Sequence, residues 1–270
     1  MPNLPSLTIV VPCFNEGHRL VESLDTLRSW FPDRTEIVVV DDGSTDDTFE
    51  RLRGYAEAHE GIDVHHLPRN RGKGGAIREA IPRARGTLVV VMDADLAYDR
   101  ESVQRVIDGL AQAEIVIGNR RHPGSRYSVP VRLFGFVYRR HFAGLVFNTV
   151  LRALIPVSAR DTQCGLKGFR LDALRRIGRS VTTDGFALDV EMLLVARGLG
   201  IRVADAPVRV TYHSAKSSVR LLQSAFTMGS DVLRIAVRRM AGHYSPDRLL
   251  AAAATPQIQS GEEPPAQQPP

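Results

Sequence analysis

Cysteine is nearly absent. Cys13 and Cys164 are the only two in 270 residues, far apart and in no C-x-x-C pairing, which excludes a disulfide framework or a thiolate zinc site and fits a reducing cytosol. Lysine is almost as scarce: Lys73, Lys167 and Lys216 stand against 32 arginines. Arginine keeps its charge and forks onto phosphate oxygens, so the cationic surface suits phosphate, although a biased base composition accounts for most of such an excess. No stretch approaches the roughly 18 uninterrupted apolar residues of a spanning helix. If the chain meets a membrane, it lies on it. The start, MPNLPSLTIVV, lacks a basic region followed by a long apolar run, so no signal peptide is expected. Net charge is +5 with a pI near 9.5; this permits a polyanionic partner without requiring one, and no nucleic-acid partner is expected. What is present is ordinary for a soluble globular protein: 43% hydrophobic and 24% charged residues.

Short apolar runs alternate with helical patterns through the first half. LTIVVP, EIVVVDD, GIDVHHL, GTLVVVMDAD and EIVIGNR read as strands. The segments EGHRLVESLDTLRSW, TDDTFERLRGYAEAH, KGGAIREAIPRA (bent or shortened by Pro82) and DRESVQRVIDGLAQA read as helices. That alternation predicts an α/β fold with a mostly parallel sheet covered by helices on both faces. Ligands then bind beyond the carboxyl ends of the strands. Acidic residues stand there: Glu16, then Asp41 and Asp42, then Asp93 and Asp95. In the second half, SARDTQCGLKGFR reads as a loop, ALDVEMLLVARGLG as a helix, and a strand pair is expected around Pro207. The segment 246–270, rich in Pro and Gln from about Ala251, is expected to be disordered.

Three stretches carry chemistry. In DDGSTDDT, Ser44 or Thr45 caps the next helix, and Asp46 and Asp47 favour its positive end. Asp41 and Asp42 precede that loop and could accept hydrogen bonds from a nucleobase or ribose. Asp93-Ala94-Asp95 ends a wholly apolar strand, and its hard oxygens suit Mg2+ or Mn2+ bridging to a diphosphate. NRGKGGAIREA places glycines, Arg71 and Lys73 at a helix start, a geometry that suits an anion. His65 and His66 lack partners at metal-ligand spacing, and Trp30 reads as core.

VVPCFNE, VVVDDGSTDDT, NRGKGGAIREA, MDAD, DTQCGLKGFR and ALDVEML occur in the order seen in family 2 inverting glycosyltransferases of the GT-A fold, and the chain resembles that family over about residues 5 to 245. The likeness is greatest to the polyprenyl-phosphate sugar synthases of the dolichyl-phosphate β-glucosyltransferase branch. The resemblance implies a single GT-A domain over 1–245, with a nucleotide-sugar half (5–120) and an acceptor and membrane-interface half (121–245). It implies that Pro12, Phe14 and Glu16, with Asn15 beside them, line a base pocket. Asp42, with Asp41, would meet the nucleoside, and Lys73 would lie near the nucleotide. Asp93 and Asp95, flanking Ala94, would hold Mg2+ or Mn2+ and the diphosphate. Arg120, Arg126 and Lys167 would grip a lipid phosphate. Asp161, Gln163, Asp189 and Glu191 would line the sugar or acceptor region, and His213 lies in a motif that recurs in the family. Ala97 replaces the glutamine frequent in mannosyl relatives, which removes one metal contact expected there.

The implied reaction moves a sugar from a nucleotide sugar, UDP-glucose or a UDP-N-acetylhexosamine, to a polyprenyl phosphate with inversion. The alternatives are GDP-mannose as donor or a saccharide hydroxyl as acceptor. A hydroxyl acceptor needs a carboxylate base, Asp189 or Glu191, whereas a phosphate is already ionised. Val131–Ile155 and Ser218–Met240 are apolar with arginines set in, among them Arg139, Arg140, Arg238 and Arg239. They predict amphipathic interface helices on an anionic membrane surface, hence a cytoplasmic, peripherally membrane-associated enzyme. Oligomerisation is left open.

Overall fold

The computed structural model describes residues 6–130, 155, 161–211 and 221–254. In chain order, Leu7–Cys13 (β1), Gly17–Trp30 (α1), Thr35–Asp41 (β2), Thr48–Ala58 (α2), Ile62–His66 (β3), Lys73–Ala80 (α3), Leu88–Val91 (β4), Arg100–Gly109 (α4) and Ile115–Asn119 (β5) follow the predicted alternation. The valine and isoleucine runs become strands because β-branched side chains suit a pleated surface buried on both faces. Ile9, Val11, Val38 to Val40, Val89 and Val90 have no solvent exposure. Helix α3 stops at Ala80, two residues ahead of Pro82. Helix α4 starts on a true cap, with Asp99 accepting from the Ser102 N–H at 2.9 Å.

The rest comprises Arg126–Ser128 (β6), Lys167–Arg170 (β7), Leu171–Gly178 (α5), Leu188–Gly198 (α6), Val203–Pro207 (β8), Arg209–Thr211 (β9), Leu221–Met240 (α7) and Pro246–Ala254 (α8). Seven strands form one sheet in the order β3-β2-β1-β4-β7-β5-β8, with β7 antiparallel to both neighbours and the other pairings parallel. Strand order reverses between β1 and β4. A crevice opens at such a switch point, outside the carboxyl ends of the strands.

Several expectations for the second half need correction. SARDTQCGLKGFR is not only a loop: its KGFR is the strand β7 between β4 and β5. The strands around Pro207 do not pair with each other; β8 extends the main sheet, and β9 pairs in parallel with β6 in a second, two-stranded sheet. Chain on both sides of residue 120 therefore completes one sheet. The segment 246–270 is not disordered from its start, since α8 covers its first nine residues and buries Leu249. Within Ser218–Met240 the structure gives the helix α7 from Leu221. Most of Val131–Ile155, with Arg139 and Arg140, lies outside the described residues, as do His213 and everything after residue 254.

Candidate active site

The end of β4 faces the switch point. Beyond Val91 the chain turns through Leu96, which adopts a left-handed φ of 46°, a conformation costly for a branched apolar residue. That turn leaves Asp95 exposed, its Oδ1 accepting from the Ala97 N–H at 3.1 Å. Asp93 is only partly exposed, and Lys73 Nζ, from the first residue of α3, lies 2.5 Å from its Oδ1. Its Oδ2 abuts Gly165, where any Cβ would collide with the carboxylate. Tyr98 fixes that glycine: its hydroxyl accepts from the Gly165 N–H at 3.0 Å and from the Cys164 thiol. Sequence reasoning missed both Tyr98 and Gly165, which meet only because β7 returns beside β4. Burial pushes the Asp93 carboxyl up, but Lys73, with Lys167 and Arg120 behind it, holds it below the usual carboxylate value.

Lys167 and Arg120 are not free phosphate grips. Lys167, on β7, is 5% exposed; its ammonium lies 3.0 Å from Asp189 and donates to the Cys164 carbonyl. Arg120 binds Asp161 in a fork, Nε to Oδ2 at 2.7 Å and Nη2 to Oδ1 at 2.8 Å, and adds its backbone N–H at 3.0 Å. Burial opposes ionisation of Asp161, and Arg120 outweighs it, lowering that carboxyl. Buried charges persist only when paired in this way. Of the three basic candidates only Arg126, on β6, is exposed.

Asp189 and Glu191 are both buried in α6. Glu191 accepts from the Thr182 and Thr183 N–H groups at 2.9 and 2.8 Å and from Tyr244 Oη at 2.6 Å, with Arg238 3.3 Å away. It ties α7 and the turn before α8 to the loop ahead of α6. Burial raises its carboxyl and those hydrogen bonds lower it further than burial raises it. Gln163 is half-buried and its Nε2 has no hydrogen-bond partner among the described residues.

The carboxylates at the end of β2 differ from those of β4. Asp41 has no solvent exposure; it accepts from the Ser44 N–H at 3.2 Å and from Ser44 Oγ, with His66 Nδ1 2.7 Å away. Ser44 is thus a partner of Asp41 and not a helix cap. Helix α2 instead begins at Thr48, with Asp47 in the capping position, and Asp46 accepts from the Thr48 N–H. Asp42, 3% exposed, accepts from the Arg71 and Gly72 N–H groups at 2.7 Å each. Burial raises its carboxyl, and those two N–H groups offset only part of the rise. The glycine turn does bind an anion, but one of the protein's own. Gly72 takes a φ of 93°, and the turn continues onto the 184–185 loop through Gly75 N–H to the Asp184 carbonyl at 2.9 Å. Arg71 and Arg78 both reach the Asp184 carboxylate.

At the end of β1, Pro12 and Phe14 are half-buried, and Asn15 is exposed with a φ of 55°. Asn15 Oδ1 accepts from Thr45 N–H at 2.9 Å, and its own N–H donates to Ser44 Oγ at 2.8 Å. Glu16 is half-buried, 3.9 Å from Arg19. The structure so brings the β1, β2 and β4 ends, the glycine turn and Lys73 to one edge. Among the described residues no group of three or more His, Cys, Asp or Glu side chains gathers to hold a metal. The D-x-D supplies two carboxylates, one open to solvent, and their hard oxygens suit a divalent cation such as Mg2+ or Mn2+.

Residues 8–178 match the family model described as glycosyl transferase family 2. A dolichyl-phosphate beta-glucosyltransferase of Dictyostelium discoideum is 31% identical over 87% of this chain and 75% of that protein. A Mus musculus protein of the same name is 32% identical, over 88% and 77%. Glucosyl-3-phosphoglycerate synthase from Mycobacterium tuberculosis, solved with Mn2+, UDP and phosphoglyceric acid, aligns at a TM-score of 0.61 and 19% identity over 94% of this chain and 80% of its own. A mannosyltransferase from Pyrobaculum calidifontis, solved with GDP-Man and Mn2+, aligns at 0.56 and 24%, over 93% and 73%. At those identities the solved structures establish the shared GT-A architecture.

Proposed function

The chain belongs to glycosyl transferase family 2, and from that premise we propose that it moves glucose from UDP-glucose to a polyprenyl phosphate, with inversion, at a membrane surface. Relatives about 30% identical along most of the chain bear the dolichyl-phosphate glucosyltransferase name. The observation that carries the acceptor class is the state of the two carboxylates best placed to serve as a base. Asp189 is ion-paired to Lys167, and Glu191 is fully buried under donors from Thr182, Thr183, Tyr244 and Arg238. A saccharide hydroxyl needs such a base; a phosphate monoester, with a second pKa of about 6, is ionised without one.

Asp93 and Asp95 are the residues that would hold Mg2+ or Mn2+. That ion, when bound, offsets the charge growing on the departing diphosphate. The chain's own residues do the rest. Lys73 and the turn behind it orient the diphosphate, and Pro12, Phe14, Asn15 and Glu16 border the space for the base. Asp41 and Asp42 act from behind, holding the loops that shape this space. Arg126 is the exposed cation offered to the acceptor phosphate, while Arg120 and Lys167 fix the local field through their ion pairs.

Membrane attachment is supported by α7, where Leu233, Val237 and Met240 are exposed along one face beside Arg234 and Arg239. No described helix is long and apolar enough to cross a membrane. The test incubates purified protein with UDP-glucose, UDP-N-acetylhexosamines or GDP-mannose, Mn2+ and a short polyprenyl phosphate. A β-linked glucosyl phospholipid that EDTA abolishes is expected. Transfer to saccharide hydroxyls in preference to the lipid would overturn the reading.

A further inference from the structure

We propose that Lys73 is a displaceable internal counter-ion that makes the divalent cation and the donor diphosphate bind as a pair, each poorly without the other. The inference rests on Asp93 and Asp95 being the metal carboxylates and goes beyond it by assigning the coupling to one side chain. Three anions, Asp93, Asp161 and Asp189, and three cations, Lys73, Arg120 and Lys167, act on one another at the end of β4. Their charges sum to zero. Two of the cations are committed: Arg120 makes three bonds to Asp161, and Lys167 is held by Asp189 and the Cys164 carbonyl. Lys73 is different. Among the described residues its ammonium has one hydrogen-bond partner, Asp93, and it stands at the first residue of α3 on a long unbranched stem.

A divalent cation arriving alone must share Asp93 with that ammonium and, with Asp95 counted beside the six, turns a net charge of −1 into +1. A nucleotide sugar arriving alone brings two ionised phosphates to carboxylates that repel them. When both arrive, the two added charges cancel, and Lys73 has phosphate oxygens to turn to when it leaves Asp93. Exchange of the Lys73–Asp93 contact for phosphate oxygens is what links the two ligands. Gly165 narrows the alternatives, because its backbone abuts Oδ2 and blocks movement of the Asp93 carboxylate toward it.

The experiment titrates the purified full chain with MnCl2 by calorimetry, with and without saturating UDP, for the wild type, Lys73→Met and Lys73→Arg. In the wild type, UDP tightens Mn2+ by at least about tenfold, within the usual range of coupling between sites. Lys73→Met, which keeps the stem and removes the charge, binds Mn2+ alone about tenfold more tightly and retains a coupling of no more than about threefold. Lys73→Arg restores it. A Lys73→Met protein with wild-type Mn2+ affinity in the absence of UDP overturns the proposal. So does a wild type whose Mn2+ affinity ignores UDP, a measurement that stands even if the variant does not fold. A wild type that binds no Mn2+ with or without UDP sinks instead the metal role of Asp93 and Asp95.

Discussion

Strands β2 and β4 end alike in sequence, each with a valine run followed by two aspartates, and the fold gives them opposite work. Asp41 and Asp42 are at most 3% exposed and are satisfied by Ser44, His66 and the backbone of the glycine turn. Asp95 is open to solvent, and the Asp93 side chain keeps 40% of its exposure beside Lys73. Their acidities diverge for the same reason. Burial wins at Asp42, whose nearest donors are neutral amides, whereas at Asp93 the cations outweigh it. What surrounds a carboxylate decides whether it builds the site or acts in it. Spacing along the chain does not.

The comparison breaks most easily at its active end. Asp95→Asn removes the exposed carboxylate with little packing, so sugar transfer should fall about 10³-fold with an unchanged melting temperature. Turnover within a few-fold of wild type in Mn2+-replete buffer would erase the distinction between the two aspartate pairs. Next comes Gly165→Ala, whose methyl displaces the Asp93 carboxylate; initial rates should drop about 10²-fold, the scale of a one-ångström misplacement.

The structural pair gives the reverse pattern. Asp42→Ala leaves the Arg71 and Gly72 N–H groups without their acceptor and should cost about 1–3 kcal/mol in denaturant unfolding. Saturated turnover should fall far less than for Asp95→Asn. Glu191 extends the contrast to pH. Its folded carboxyl lies below the usual 4.5, so its contribution to stability is present above that value and disappears as pH falls through the lowered one. Glu191→Gln should therefore flatten the decline of melting temperature below about pH 5. The smallest effect belongs to Asp47, in the same aspartate run as Asp41, whose 2.6 Å pair with Arg51 is solvent-exposed. Asp47→Ala should move the melting temperature by no more than about 2 °C.

Legibility in the sequence follows the range of the contacts. The βα units through β5 are local in pattern: each strand's apolar run is contiguous and each helix repeats within its own segment, so the pattern alone predicts them. KGFR reads as loop in the sequence because its four residues carry no strand-length apolar run, yet β4 and β5 hold it between them. Lys167 follows the same rule, appearing as a free cation in a polar stretch until β7 places it against Asp189. Tyr98 had no signal beyond following the D-x-D by three residues, and its partners Cys164 and Gly165 are more than sixty residues away.

The sequence by itself determined the parallel α/β architecture, the acidic strand ends and the family motifs, because β-branched runs, turn glycines and strand-end aspartates act through their immediate neighbours. Only the tertiary structure decided which of those aspartates meets solvent, which basic residues are neutralised, and that Asp189 is buried against Lys167 and Glu191 among its donors. Those outcomes depend on burial and ion pairing between residues 20 to 53 positions apart, whose energies exist only once the chain has brought β7, α6 and α7 back to the sheet.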